Sequence, residues 1–178
     1  YAGQEFGERG MDEEGFSGRD GRTTIFDYWS VDTLRRWNND GRWNDILLSD
    51  REKELAQFYK WLITLCNNEP ALAKGLFYDL MPANYGNPEF DSTRLFAFLR
   101  SDKRDLILIV ANFDDKAQDC TVIIPQHAFD FLGAVPTAKG ILQPLLQRES
   151  ESLPFHHTTL PIISVNSCSG EIYKITFL

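Results

Sequence analysis

Between Leu55 and Cys66 the apolar positions Leu55, Phe58, Tyr59, Leu62, Ile63, Leu65 and Cys66 recur at the spacing of one helical face. Arg51, Lys53, Glu54 and Lys60 fill much of the opposite face. Ser49 and Glu52 stand at the S-x-x-E spacing of a capping box, in which each side chain accepts a hydrogen bond from the other residue's backbone N–H. Asn67, Asn68 and Pro70 supply a stop. The pattern predicts a helix over 50–66. A helix this amphipathic needs an apolar surface to lie on.

From about Leu76 the period becomes strand-like. Thr93–Leu99 and Asp105–Ala111 are dense in β-formers, and Ser101–Arg104 between them reads as a hairpin turn. A third strand is expected over Asp119–Ile124, closed by Pro125, with a helical turn over His127–Leu132. Further strands are expected near Ile141–Leu146, Thr159–Val165 and Glu171–Phe177. Leu106–Val110 is apolar throughout, which predicts a central strand covered on both faces. Short strands separated by Gly, Pro and Ser fit an antiparallel β-sandwich. The fold class is therefore mainly β, preceded by an α/irregular part. No internal repeat or low-complexity segment is evident.

Residues 1–48 break this regularity. Gly3, Gly7, Gly10, Gly15, Gly18 and Gly21 alternate with charges and with Phe6, Phe16, Phe26, Tyr28, Trp29, Trp37 and Trp43. Glycine makes such a segment costly to order, whereas the aromatics supply anchors. A long loop packed on a scaffold reconciles the two, with a short helix over Asp32–Trp37.

Composition narrows the function classes. The 178 residues suit one domain, or a small domain with a piece of a neighbour. The formal charge of −8 lacks the positive field that nucleic acids and anionic membranes require. The longest apolar run, Leu106–Ala111, is too short to span a bilayer. Cys66, Cys120 and Cys168 form no CxxC unit and read as free thiols, leaving the compartment undecided.

Four segments resemble one family. Tyr1–Gly7 is similar to the segment after the eighth barrel strand of α-amylase family glycoside hydrolases. Phe58–Leu62 followed by Asn68–Leu72 resembles the last barrel helix and its exit. Arg94–Arg100 followed by Leu106–Phe113, with Asn112, resembles the first hairpin of the family's C-terminal β-sandwich, and Gly170–Phe177 resembles its closing strand. The resemblance implies that 1–72 is the end of a (β/α)8 barrel and 76–178 a C-terminal all-β domain. It implies action on α-glucosidic bonds of starch-like glucans by two aspartates and a glutamate, all preceding Tyr1. No residue of this chain receives their roles, so the chain alone is expected to be inactive and to stabilise the barrel. Gly15–Trp29, with its Arg-Thr-Thr-Ile-Phe-Asp-Tyr-Trp stretch, departs from a generic family loop.

The candidate contacts with an α-glucan or maltooligosaccharide are Tyr28, Trp29, Trp37 and Trp43, whose rings suit the C–H faces of sugars. Arg22, Asp27 and Asn38 are the candidate partners for hydroxyls. The same rings would equally serve to anchor the loop. Glu5, Glu8, Asp12, Glu13, Glu14, Asp20 and Asp27 form no recognisable catalytic pair. Calcium, possible in the parent protein, has candidate oxygen ligands at Asp12, Glu13, Glu14 and Asp20, without EF-hand spacing. The glycines precede no Gly-Lys-Ser or Gly-Lys-Thr, which argues against a phosphate loop. His127, His156 and His157 lack metal-ligand spacing. Two other readings stay open: a carbohydrate-binding module built on the tryptophan-rich region, and a protein-interaction domain. The partners expected are the upstream catalytic barrel and, without it, a second copy dimerising through bared surface.

Overall fold

The computed structural model describes residues 3–8, 32–146, 151–156 and 160–178. The chain divides into two compact units, Tyr1–Leu65 and Cys66–Leu178. The first unit holds a 3-10 turn at Gln4–Phe6, helix α1 (Asp32–Asn38) and most of helix α2 (Asp50–Asn68). Both expected helices are present. The capping box forms as read: Ser49 N–H donates to Glu52 Oε2 at 2.8 Å, and Glu52 N–H reaches Ser49 Oγ at 3.4 Å. Pro70 does more than stop α2. Lacking an N–H that a first turn would leave unpaired, it opens a new helix, α3 (Pro70–Lys74).

The second unit is an antiparallel β-sandwich with small helices. Its larger sheet has the order β1 (Leu76–Asp79), β2 (Leu95–Ser101), β3 (Leu106–Asn112), β8 (Ser169–Phe177), β5 (Lys139–Pro144) and β6 (Leu153–His156). The smaller pairs β4 (Gln118–Cys120) with β7 (Ile163–Val165). Alternation sets which side chains meet. Leu95, Ala97 and Leu99 of β2, Leu106, Leu108 and Val110 of β3, and Tyr173 and Ile175 of β8 share one core with Cys120, Ile163 and Val165. Helix α4 (Met81–Asn84) contributes Met81, and helix α5 (Gln126–Leu132) contributes Ala128, Phe129 and Leu132. Cys66, Cys120 and Cys168 are all free thiols.

Strand β3 takes the interior place expected of it, between β2 and β8. Its second face is covered unevenly: Ile107 is fully buried, but Ile109 and Ala111 are half-buried. Helix α3 lies against β2 and β3 on this side. The strand expected over Asp119–Ile124 ends at Cys120. The reason is local competition for the backbone. Asn84 Nδ2 donates to Ile123 O (3.0 Å) while Asn84 Oδ1 accepts Ile123 N–H (2.9 Å), and Asn87 Nδ2 donates to Thr121 O (2.7 Å). These carboxamides take the groups that a ladder partner would have paired. The expected strand over Thr159–Val165 forms at Ile163–Val165, and residues 157–159 lie outside the described residues. Strands β1 and β6 and helices α3 and α4 were not expected from the sequence pattern.

Candidate functional site

The described part of the first unit is organised around Trp37. This ring lies 5.5 Å from Phe6 and 5.0 Å from Trp43, the latter edge-on at 69°. Polar contacts fix the same elements: Gln4 Nε2 donates to Tyr59 Oη at 2.9 Å, and Glu8 Oε2 accepts from both the N–H (2.8 Å) and the hydroxyl (2.6 Å) of Thr33. Glu8 thus satisfies an otherwise unpaired donor in the first turn of α1 and places a negative charge there. Arg36 of α1 pairs with Glu52 of α2. Burial opposes ionisation of Glu52, but the hydrogen bonds from Ser49 and the bond and charge of Arg36 outweigh it, and its pKa falls below the ordinary 4.5.

The loop after α1 presents Trp43. Asn39, Asp40 and Gly41 adopt left-handed backbone angles, with φ of 43°, 56° and 82°. Asn, Asp and Gly tolerate that region because a small or self-bonding side chain avoids the clash with the carbonyl. Trp43 also has a positive φ, 52°, and has no such excuse. Its N–H bonds to Asn38 O and that of Asn44 bonds to Trp37 O, both at 3.0 Å. Asn38 Oδ1 accepts Gly41 N–H at 2.8 Å, and the buried Asn39 donates to Asn44 Oδ1 at 3.0 Å. The loop therefore holds a bulky aromatic in a costly conformation and leaves it 58% exposed. Exposed Ile46 and Leu47 follow it.

Of the sugar-contact candidates, Trp37, Asn38 and Trp43 come together in this cluster. Trp37 is half-buried and serves as the pillar between Phe6 and Trp43. The side-chain oxygen of Asn38 is committed to the loop, and Trp43 is the exposed ring. Arg22, Asp27, Tyr28 and Trp29 lie outside the described residues, as do the calcium candidates Asp12, Glu13, Glu14 and Asp20. Among the described residues, no three His, Cys, Asp or Glu side chains are grouped to hold a metal ion. Sequence reading missed Asn39 and Asn44. Their signal was the run Asn38-Asn39-Asp40-Gly41, a turn composition followed at once by Trp43.

Helix α2 is the other unusual feature. None of its 19 residues is buried, and Phe58 (47%) and Ile63 (57%) are among the exposed large apolar side chains. No helix among the described residues is long and apolar enough to cross a membrane.

No protein-family model and no curated protein matches the sequence. Solved structures do match the fold. A maltose complex of AmyP is similar over 76% of this chain and 22% of its own, at 13% identity and a TM-score of 0.53. The α-amylase of Geobacillus thermoleovorans, solved with acarbose, is similar over 76% of this chain and 25% of its own, at 16% identity and 0.52. An Anoxybacillus α-amylase is similar over 78% of this chain and 26% of its own, at 21% identity and 0.51. The chain thus spans about a quarter of the length of these structures and has the fold of their C-terminal portion, including its small β-sandwich.

Proposed function

We propose that the chain is the C-terminal part of an α-glucan-active glycoside hydrolase of the α-amylase family. In this reading residues 1–72 supply the last loop and helix of the catalytic barrel, and 76–178 form the β domain that stabilises it. The carboxylates that cleave the glycosidic bond belong to the part of the protein outside these residues, and the chain by itself turns over no glucan. The observation that carries the reading is α2. Its apolar face repeats at helical spacing over Leu55–Cys66, yet no residue of the helix is buried. Burying an apolar side chain of this size contributes about 1.5–3 kcal/mol, so the pattern makes physical sense with a partner surface such as barrel strands. The likeness to about a quarter of larger α-amylases supports the same assignment, and the maltose and acarbose held by two of those proteins support an α-glucan substrate.

The test compares this chain with the same chain extended through a complete barrel. Maltooligosaccharide hydrolysis is expected only from the extended protein. Self-association of the short chain through its bare α2 face should disappear once the barrel is present. Sustained hydrolysis by the short chain alone would overturn the assignment.

Trp43 favours a second role within the same protein, contact with the glucan. A bulky residue in the left-handed region costs about 1–2 kcal/mol, and such strain collects at binding sites. Here it presents a ring to solvent beside Asn44 and Asp45. Titration of the extended protein with maltooligosaccharides should show weaker binding for Trp43→Ala. Unchanged affinity would leave Trp43 as a loop anchor alone.

A further inference from the structure

The inner face of β8 carries one carboxyl group that the barrel-stabilising role does not use. Glu171 sits opposite Val110 of β3, a fully buried core residue, and is itself only 6% exposed. Alternation along β8 places Tyr173 on the same face, and the two strands of the smaller sheet pack their Cys120, Ile163 and Val165 into the same core. None of the described residues makes a hydrogen bond to the Glu171 carboxyl or lies within ion-pair distance of it. A carboxylate in such a place loses hydration without compensation.

The groups around it offer no positive charge. On its own strand the neighbour is the Tyr173 phenol. On β4 it is the Cys120 thiol; the Asp119 carboxylate points to the other, exposed face, where it accepts the Ser164 hydroxyl at 2.5 Å. Strand β3 faces it with Val110 and the Asn112 carboxamide, and Ile163–Val165 of β7 carries no titratable side chain. Burial raises the pKa of Glu171 and pushes the Cys120 thiol up to about 11. Burial, together with the charges of Glu171 and Cys120, pushes Tyr173 up to about 12. Each of these groups is more easily kept neutral in the folded domain than in the unfolded chain.

We propose that Glu171 gives the β domain an acid-side contribution to its stability: the seam between β8 and the β4–β7 layer houses its carboxyl as the neutral acid, and ionising that carboxyl loosens the seam. The sign follows from linkage. A carboxyl whose pKa is raised by folding binds its proton more tightly in the native state. Its contribution is complete below the unfolded value of 4.5 and is lost as the pH climbs through the raised value. Over that window the folded-to-unfolded ratio falls as the pH rises, by at most about tenfold per pH unit, the limit set by one proton. The device lies outside any catalytic chemistry, so it stands or falls separately from the glucan assignment.

The experiment measures denaturant unfolding of the full chain across mildly acidic to mildly alkaline pH, beside Glu171→Gln. The variant keeps the shape and cannot ionise. Its stability should fall behind by a constant offset in acid and then gain on the parent as the pH rises, with the ratio of their unfolding constants changing by at most about tenfold per pH unit within the window. Parallel profiles would overturn the proposal. Should Glu171→Gln fail to fold, carbon NMR titration of the Glu171 carboxyl in the parent decides the matter. A midpoint above 4.5 supports the proposal, and one at or below it overturns it.

Discussion

Arg100 and Lys174 hold the same short helix from one cross-strand row. Arg100 of β2 and Lys174 of β8 both register with Ile107 of β3, so all three side chains share a face of the sheet. Arg100 donates from Nε to Ala71 O (3.2 Å) and from Nη2 to Leu72 O (2.8 Å), carbonyls of α3. Lys174 Nζ reaches Glu69, the residue before α3, at 3.6 Å, and Asp105 at 3.0 Å. Ile107 and Ala71 are both fully buried.

This arrangement predicts an asymmetric cost for losing the arginine. Two fork-like donors meet two carbonyls, a geometry a lysine cannot reproduce. Arg100→Lys is expected to destabilise the β domain by about 1.5–3 kcal/mol, with faster amide exchange in Pro70–Lys74 than elsewhere in the domain. Thermal unfolding with residue-resolved hydrogen exchange checks both parts, and uniform loosening would contradict the local account.

Gly75 is predicted to tolerate no side chain. It ends α3, and a Cβ placed there would sit 2.2 Å from Ala71 O and 2.7 Å from Ser101 O. Its own backbone angles, φ −64° and ψ 161°, are ordinary, so the objection is close packing of backbone on backbone and not the conformation. Gly75→Ala should lower the unfolding midpoint by more than a substitution at Gly86, where a Cβ would meet open space. Denaturant melts of the two variants make the comparison.

Asn112 is a third test. Its Nδ2 faces Lys116 O (2.8 Å), Val165 O (3.1 Å) and Asn166 O (3.0 Å), while its Oδ1 accepts Asp114 N–H at 2.8 Å. One buried amide thereby joins the end of β3 to the turn after it and to the end of β7. Asn112→Asp preserves the shape but turns the donor into a charged acceptor facing three carbonyls. A loss of about 3 kcal/mol or more is expected at neutral pH, partly recovered in acid where the carboxyl regains a proton. Urea denaturation at two pH values would show it, and an unaffected variant would mean that the carbonyls have other donors.

Glu52 is predicted to give the first unit a pH response opposite in sign to that of Glu171. Its lowered pKa means that it contributes stability above the ordinary value of 4.5, and that this is lost as the pH falls through the lowered value. Acidification should therefore fray the start of α2 and release Arg36, and Glu52→Gln should blunt the response. Circular dichroism and the side-chain resonances of Arg36 followed through an acid titration provide the measure.

Much of the fold was legible because it depends on short-range pattern. The helical spacing of Leu55–Cys66, the Ser49–Glu52 box, the Leu95–Asn112 hairpin and the closing strand at Glu171–Phe177 each follow from periods and turn residues that neighbouring positions impose. The candidate site was legible in part. The tryptophans could be singled out as large rings in a glycine-rich loop, but nothing local distinguishes the pillar Trp37 from the displayed Trp43.

The sequence by itself determined where α1, α2, α5 and most strands lie and which faces are apolar, since those properties reside in the spacing of side chains along the chain. Only the tertiary structure decided that Asn84 and Asn87 would end β4 early, that Pro70 would start a helix seated on Arg100 and Lys174, and that Glu171 would face a core. Each of those outcomes depends on groups tens of residues apart meeting in space, where a backbone amide takes whichever partner is nearest and a carboxyl gains or loses its water.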